Sequence, residues 1–278
     1  ALSRSGATAV LAHQGGTSLF EIPSGRRVAT VTHPPGWWPA SVRFRGEQAV
    51  RGWLVPRLGL PFGAHPPAEM RIVDVAVGAE PISAAAALET VVAHVQSWPK
   101  LVLPDTEGHR VLTQDGGLRL RDGATGALIA TLEEGPSPAS AVFLTDGRVV
   151  AGTPKGERTA LRVFSSEGAL LQEVMLDRAG SGLGAGVEVG PARVAIALRP
   201  SSGGSETLVV DLEQGRVVET LPDAGQLWSP WMVSPTPTPG LTRHYFIEDG
   251  AIVRRDFATG EERVVAGPGA APGERLSR

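Results

Sequence analysis

Six tryptophans and six histidines carry most of the chemistry open to this chain. Cysteine is absent, which excludes disulfides, thiolate metal sites and a cysteine nucleophile. Lysine occurs only at Lys100 and Lys155, so most lysine-based chemistry is excluded as well. Imidazoles at His13, His33, His65 and His94 are weak candidates for zinc, copper or iron. No H-x-H or HExxH motif and no carboxylate at ligand spacing accompanies them, so a solvated or packing role is expected for each. No metal and no other cofactor is therefore expected.

Nucleophilic catalysis finds no G-x-S-x-G elbow. The pairs Glu133-Glu134 and Glu261-Glu262 adjoin turns and read as solvated faces. The glycines of SGLGAGVEVG, residues 181–190, do not fit G-x-G-x-x-G spacing, and no helix follows to hold a phosphate. That stretch reads as a strand whose small residues face a narrow channel.

Tryptophan is the more orderly signal. Trp37 and Trp38 (GWWPASV), Trp98 (QSWPKLV) and Trp228 (LWSPWMV) each stand where the chain enters an apolar strand, whereas Trp53 is mid-strand and reads as core. Two readings of the four stay open: indoles packed between neighbouring layers, or an aromatic rim for a protein or a glycan. The longest connection, residues 57–69 (RLGLPFGAHPPAE), carries Leu58, Leu60 and Phe62, a second apolar candidate for partner contact or a cap folded over its own blade.

The elements that must position these residues are hairpins. LRLRDGATGALIATL, residues 118–132, reads as a strand, a tight turn at Gly126 and a second strand. The phrase occurs six times in all, with turn glycines at Gly25, Gly78, Gly126, Gly168, Gly215 and Gly260. First and last lie 235 residues apart over five intervals, a mean period of 47. A period of roughly 40–50 with four short strands per unit is the signature of a propeller blade. The expectation is one all-β domain over residues 1–278, a six-bladed β-propeller of four-stranded antiparallel blades.

Blade one lacks its inner strand, because only residues 1–6 precede its first clear strand. The tail, residues 267–278, is expected to close the ring by pairing there; a seventh blade is the alternative. The one helix-like stretch, residues 83–95 (SAAAALETVVAHV), falls between two hairpins. In this architecture Trp37, Trp38, Trp98, Trp228, the 57–69 loop and His13, His33, His65 and His94 share one face. The six turn glycines lie on the other.

A net charge of −3 gives no general attraction to nucleic acid or an anionic membrane. No run of about 18 apolar residues offers membrane insertion, and no leader is recognisable. Basic positions are almost all arginine, which reads as a GC-rich genome.

The hairpins LRLRDGATGALIATLEEG and LVVDLEQGRVVETL resemble the repeats of bacterial YVTN/WD40-like β-propellers. Asp122, Thr125 and Gly126 match the D-x-x-T-G core of that repeat, as do Asp256, Thr259 and Gly260. Asp211 with Gly215 and Asp74 with Gly78 match without the threonine, and the Trp-Asp dipeptide of eukaryotic WD40 repeats is absent. The resemblance implies the fold and a tendency to bind partners; it carries no common catalytic residue. The leading expectation is a non-catalytic binding or scaffold propeller, extracytoplasmic and part of a larger assembly. The alternative is a propeller enzyme of lactonase, lyase or metal/quinone-dependent type, with its site at the channel mouth.

Overall fold

The computed structural model describes residues 3, 5, 7–13, 16–22, 24–33, 35–45, 49–56, 69–76, 90–94, 102–135, 140–178, 183–198, 206–222, 243–248, 251–256, 259 and 261–266. Among them every regular element is a β-strand, and the strands pair into six antiparallel sheets. The chain divides into two compact units, Ala1–Pro136 and Ser137–Arg278, with three sheets in each.

In the first unit, sheet one is β1 (Thr8–His13), β2 (Gly16–Glu21) and β3 (Arg27–Thr32). Sheet two is β4 (Trp37–Arg45), β5 (Ala49–Pro56), β6 (Glu69–Ala76) and β7 (Thr90–His94). Sheet three is β8 (Val102–Pro104), β9 (Arg110–Gln114), β10 (Gly117–Asp122) and β11 (Leu128–Glu134). The second unit holds sheet four, β12 (Ser140–Phe143), β13 (Val149–Lys155), β14 (Arg158–Phe164) and β15 (Leu170–Leu176). Sheet five is β16 (Leu183–Gly190), β17 (Arg193–Leu198), β18 (Glu206–Asp211) and β19 (Arg216–Pro222). Sheet six is β20 (Arg243–Glu248), β21 (Ala251–Asp256) and β22 (Glu262–Ala266). Each is a meander in chain order, the outcome expected of strands joined by short turns.

The D-x-x-T-G turn has a local cause. The Asp122 carboxylate accepts from the Ala124 and Thr125 amides at 3.0 and 2.7 Å and from the Thr125 hydroxyl at 2.8 Å. Gly126 follows at φ +70°, where a side chain would be strained, and its amide donates to the Asp122 carbonyl at 2.9 Å. Gly25, Gly168 and Gly215 also have positive φ.

Sheet two departs from the expected pattern. Its outermost strand is Thr90–His94, paired to β6 from Val73↔Thr90 to Glu69↔His94, so part of the helix-like stretch is a strand. The β-branched run at its centre fits the open edge of β6, and the backbone bonds gained there outweigh the helical preference of the alanines before it. No tight turn joins these strands: residues 77–89 connect them, with Gly78 outside the described residues. Asp74 accordingly caps no turn. Its carboxylate accepts from Arg51 Nε and Nη2, both at 2.6 Å, and from Arg45 Nη1 at 2.9 Å.

Two further expectations are corrected. Glu133 is buried rather than solvated, while Glu134 is exposed. Gly186 of β16 packs against a neighbouring sheet: a Cβ there would stand 3.1 Å from Val142 Cγ1 and 3.4 Å from Ile196 Cγ2. Its smallness serves sheet-to-sheet contact. Sheet one has three strands, as its missing inner strand implies. The 267–278 tail and the expected 229–234 strand of sheet six lie outside the described residues.

Packing between sheets forms the core. Val10, Leu19 and Ala29 of sheet one meet Val42, Phe44 and Val50 of sheet two. The opposite face of sheet two sets Trp53, Val55, Met70 and Ile72 against Val102 and Val111 of sheet three. Trp53 is fully buried, the core position its mid-strand setting implies.

Candidate functional site

One end of sheet two gathers the described candidates. Trp37 opens β4 opposite Pro56, the last residue of β5. From Pro56 the chain enters the connection holding Leu58, Leu60, Phe62 and His65, which lie outside the described residues, as do Trp98 and Trp228. It returns at Glu69, whose partner across the ladder is His94. Sheet one contributes the neighbouring chain end: β3 finishes at Thr32, and residues 33–36 lead straight into β4. His33, in that link, is tied to sheet one by a 3.0 Å hydrogen bond between its Nε2 and the buried Thr17 Oγ1. His13, at the end of β1, pairs with Gly16 beside Thr17.

The two adjacent indoles have different surroundings. Trp38 is 40% exposed. Trp37 is half-buried, with the guanidinium carbon of Arg71 4.1 Å from its ring centroid. Pairing of Leu54 with Arg71, and of Gly52 with Val73, sets Arg71 on the sheet-one side of sheet two. Strand alternation fixes this arrangement: Met70 and Ile72 enter the core with Trp53, so Arg71 must project the other way. A cation over an indole face is held by the ring quadrupole, worth about 0.5–2 kcal/mol according to desolvation.

Sequence reading missed Arg71. The available signal was its place two residues into a strand that begins at the tryptophan-bearing end. Among the described residues no three histidine, aspartate or glutamate side chains gather as a metal site; the side chains of His13, His65 and His94 are outside that set.

No family model matches the chain, and no curated protein compared with it does. Solved structures do. One is a chain of the Mitotic Checkpoint Complex, at TM-score 0.60 and 12% identity over 98% of this chain and 78% of that one. A second is the computationally designed Ika8 protein, at TM-score 0.52 and 15% identity over 92% of this chain and 70% of that one. A third is the dihydro-heme d1 dehydrogenase NirN in complex with DHE, at TM-score 0.50 and 15% identity. That match covers 94% of this chain and 64% of the dehydrogenase chain, less than two thirds of its length. The fold is of the β-propeller type. At these identities the likeness concerns the fold alone.

Proposed function

We propose that this chain is a six-bladed, non-catalytic binding or scaffold propeller, extracytoplasmic, that presents the tryptophan-bearing end of sheet two to a protein partner. The observation that carries the reading is Trp38, 40% exposed beside a Trp37 held under Arg71. An accessible indole next in the chain to a packed one, the two on opposite faces of β4, has the composition of an interface anchor, where tryptophan and arginine dominate binding energy. Likeness to a component of a multi-protein complex supports the same class.

The test is Trp38→Ala, read by capture of partners from a source extract and by thermal melting. Loss of capture with an unchanged melting temperature is expected; unfolding without a specific binding defect would reject the reading. The tail belongs to the same proposal. If residues 272–278 complete sheet one beside β1, deleting them lowers the melting temperature, and an unchanged value shows the ring is not closed this way. Likeness to the dehydrogenase favours a second reading, an enzyme with its site at the channel mouth. Metal and chromophore analysis of the purified protein separates the two.

A further inference from the structure

We infer that Arg71 is the seat for a carboxylate, supplied by an acidic peptide segment of the protein partner. This rests on the binding surface proposed above and names the chemistry it takes. The neighbouring arginines of this unit are committed to partners within the chain. Arg51 holds Asp74, Arg121 holds Asp115 at 2.8 Å, Arg110 holds Asp105 at 3.2 Å, and Arg119 donates to Thr131 at 2.6 Å. Arg71 differs. Its Nε is buried without an acceptor, and among the described residues its guanidinium makes no ion pair or hydrogen bond. Glu69, two residues earlier on the same side of β6, is not paired with it.

The Trp37 ring beneath the guanidinium holds its charge but supplies neither counter-charge nor hydrogen-bond acceptor. The guanidinium N–H donors have no acceptor among the described residues, so the fork of Arg71 is open to a ligand. A planar group with two oxygens and a negative charge matches such a fork in bidentate fashion. The surroundings favour peptide over polysaccharide. Pro35, Gly36, Trp38 and Ala40, the exposed residues flanking Trp37 along the chain, carry no carboxylate or amide side chain of the kind that gathers sugar hydroxyls, which leaves Glu69 as the one carboxylate described on this side of β6. A half-buried indole beside an uncommitted arginine suits an acidic residue flanked by an apolar one.

The experiment uses the full chain with three probes: acetylated hexaglutamate, acetylated hexaglutamine and hexagalacturonate. Binding is followed by calorimetry and by the Trp37 indole N–H resonance, assigned through Trp37→Phe. Hexaglutamate should bind roughly tenfold or more tightly than hexaglutamine, since a hydrogen bond to a charged group contributes that much. Salt should erode the difference. Arg71→Gln should abolish the preference, and Arg71→Lys should keep part of it as a point charge without the fork. Both variants should stay folded, Arg71→Gln melting slightly below the parent for loss of the contact with Trp37 and Arg71→Lys closer to it, because no internal ion pair is lost.

A glutamate preference surviving in Arg71→Gln overturns the inference. So does equal binding of the two peptides by the parent, or tighter binding of hexagalacturonate than of hexaglutamate. If Trp38→Ala loses the partner while Arg71→Gln keeps it, the surface stands and the carboxylate seat falls. If neither variant changes capture, both fall.

Discussion

Sheets two and three meet through an apolar cluster flanked by buried charged groups; sheets four and five meet through aliphatic side chains. In the first interface Arg51 donates to the Gly108 carbonyl at 3.3 Å and Trp53 Nε1 to the Gly123 carbonyl at 3.2 Å. Gly108 has φ +69° and lies so close to the Trp53 ring that a Cβ would stand 3.1 Å from it, so a side chain there is strained. Behind this contact, on the same face of sheet three, fully buried Asp115 accepts from Arg121 Nη2 at 2.8 Å and from Thr113 Oγ1 at 2.7 Å. Arg121 also donates to Thr113 at 3.1 Å and to the Gly126 carbonyl at 3.1 Å. Burial lowers the guanidinium pKa of Arg43 to about 10, although the Asp105 carboxylate pulls the other way.

The second interface sets Val142, Val150, Leu161 and Val163 of sheet four against Val194, Ile196, Leu208 and Val210 of sheet five. Its polar contacts stand at the margin, as where the Thr145 amide donates to Glu188 at 2.7 Å in an exposed position. One repeat architecture thus uses two kinds of joint. The aliphatic joint tolerates changes of similar volume. The charged joint fails when one member is removed, because the rest stay buried and unneutralised.

The largest loss is expected in the charged joint. Trp53→Ala should cost about 3–5 kcal/mol in denaturant unfolding, for it empties the largest buried volume and orphans the Gly123 carbonyl. Trp53→Phe, keeping bulk but not the donor, should recover most of that. Asp115→Ala should cost about 3–5 kcal/mol, with part regained by adding Arg121→Met. Regain on adding Arg121→Met sharpens the contrast, whereas strict additivity of the two changes would break it.

Leu161→Ala in the aliphatic joint should cost about 2–5 kcal/mol, while Leu161→Met should stay below about 1.5 kcal/mol. Asp122→Ala, removing the turn cap alone, should cost about 1–2 kcal/mol and leave both joints intact.

The smallest effect is on pH. Burial works to raise the Asp74 carboxyl, but Arg51 and Arg45 outweigh it and hold it below the ordinary range. At Asp122 burial is likewise outweighed, by hydrogen bonds from Thr125 and Ala124. Both pKa values are depressed in the folded state, so their contribution is complete above the unfolded value of about 4 and is lost as pH falls through the folded values. A melting temperature flat from neutrality to about pH 5 and declining below it is expected, with Asp74→Asn blunting the decline.

Much of the fold was legible locally. The alternating strands, the Asp122-to-Gly126 turn and the short outer frame of sheet one depend on residues within a few positions of one another, where backbone sterics and side-chain capping act alone. Asp74 in sheet two looked the same from the sequence. Whether such an aspartate caps a turn depends on what else reaches its oxygens, and Arg51 and Arg45 arrive from other strands.

Alternation in LRLRD marks which residues share a side of β10, but not whether that side is wet. Only the apposition of sheet two made Arg119 and Arg121 interior. At the candidate site the WWP entry to β4 was visible as chemistry, whereas Arg71 read as an ordinary polar strand position. Its placement over Trp37 comes from a ladder that joins β4, β5 and β6 across long stretches of chain. Sequence by itself determined the repeats and their turns, because those interactions are local. The tertiary structure decided which charges are buried and that Arg71 is left uncommitted among the described residues, because both depend on groups that meet only when the sheets assemble.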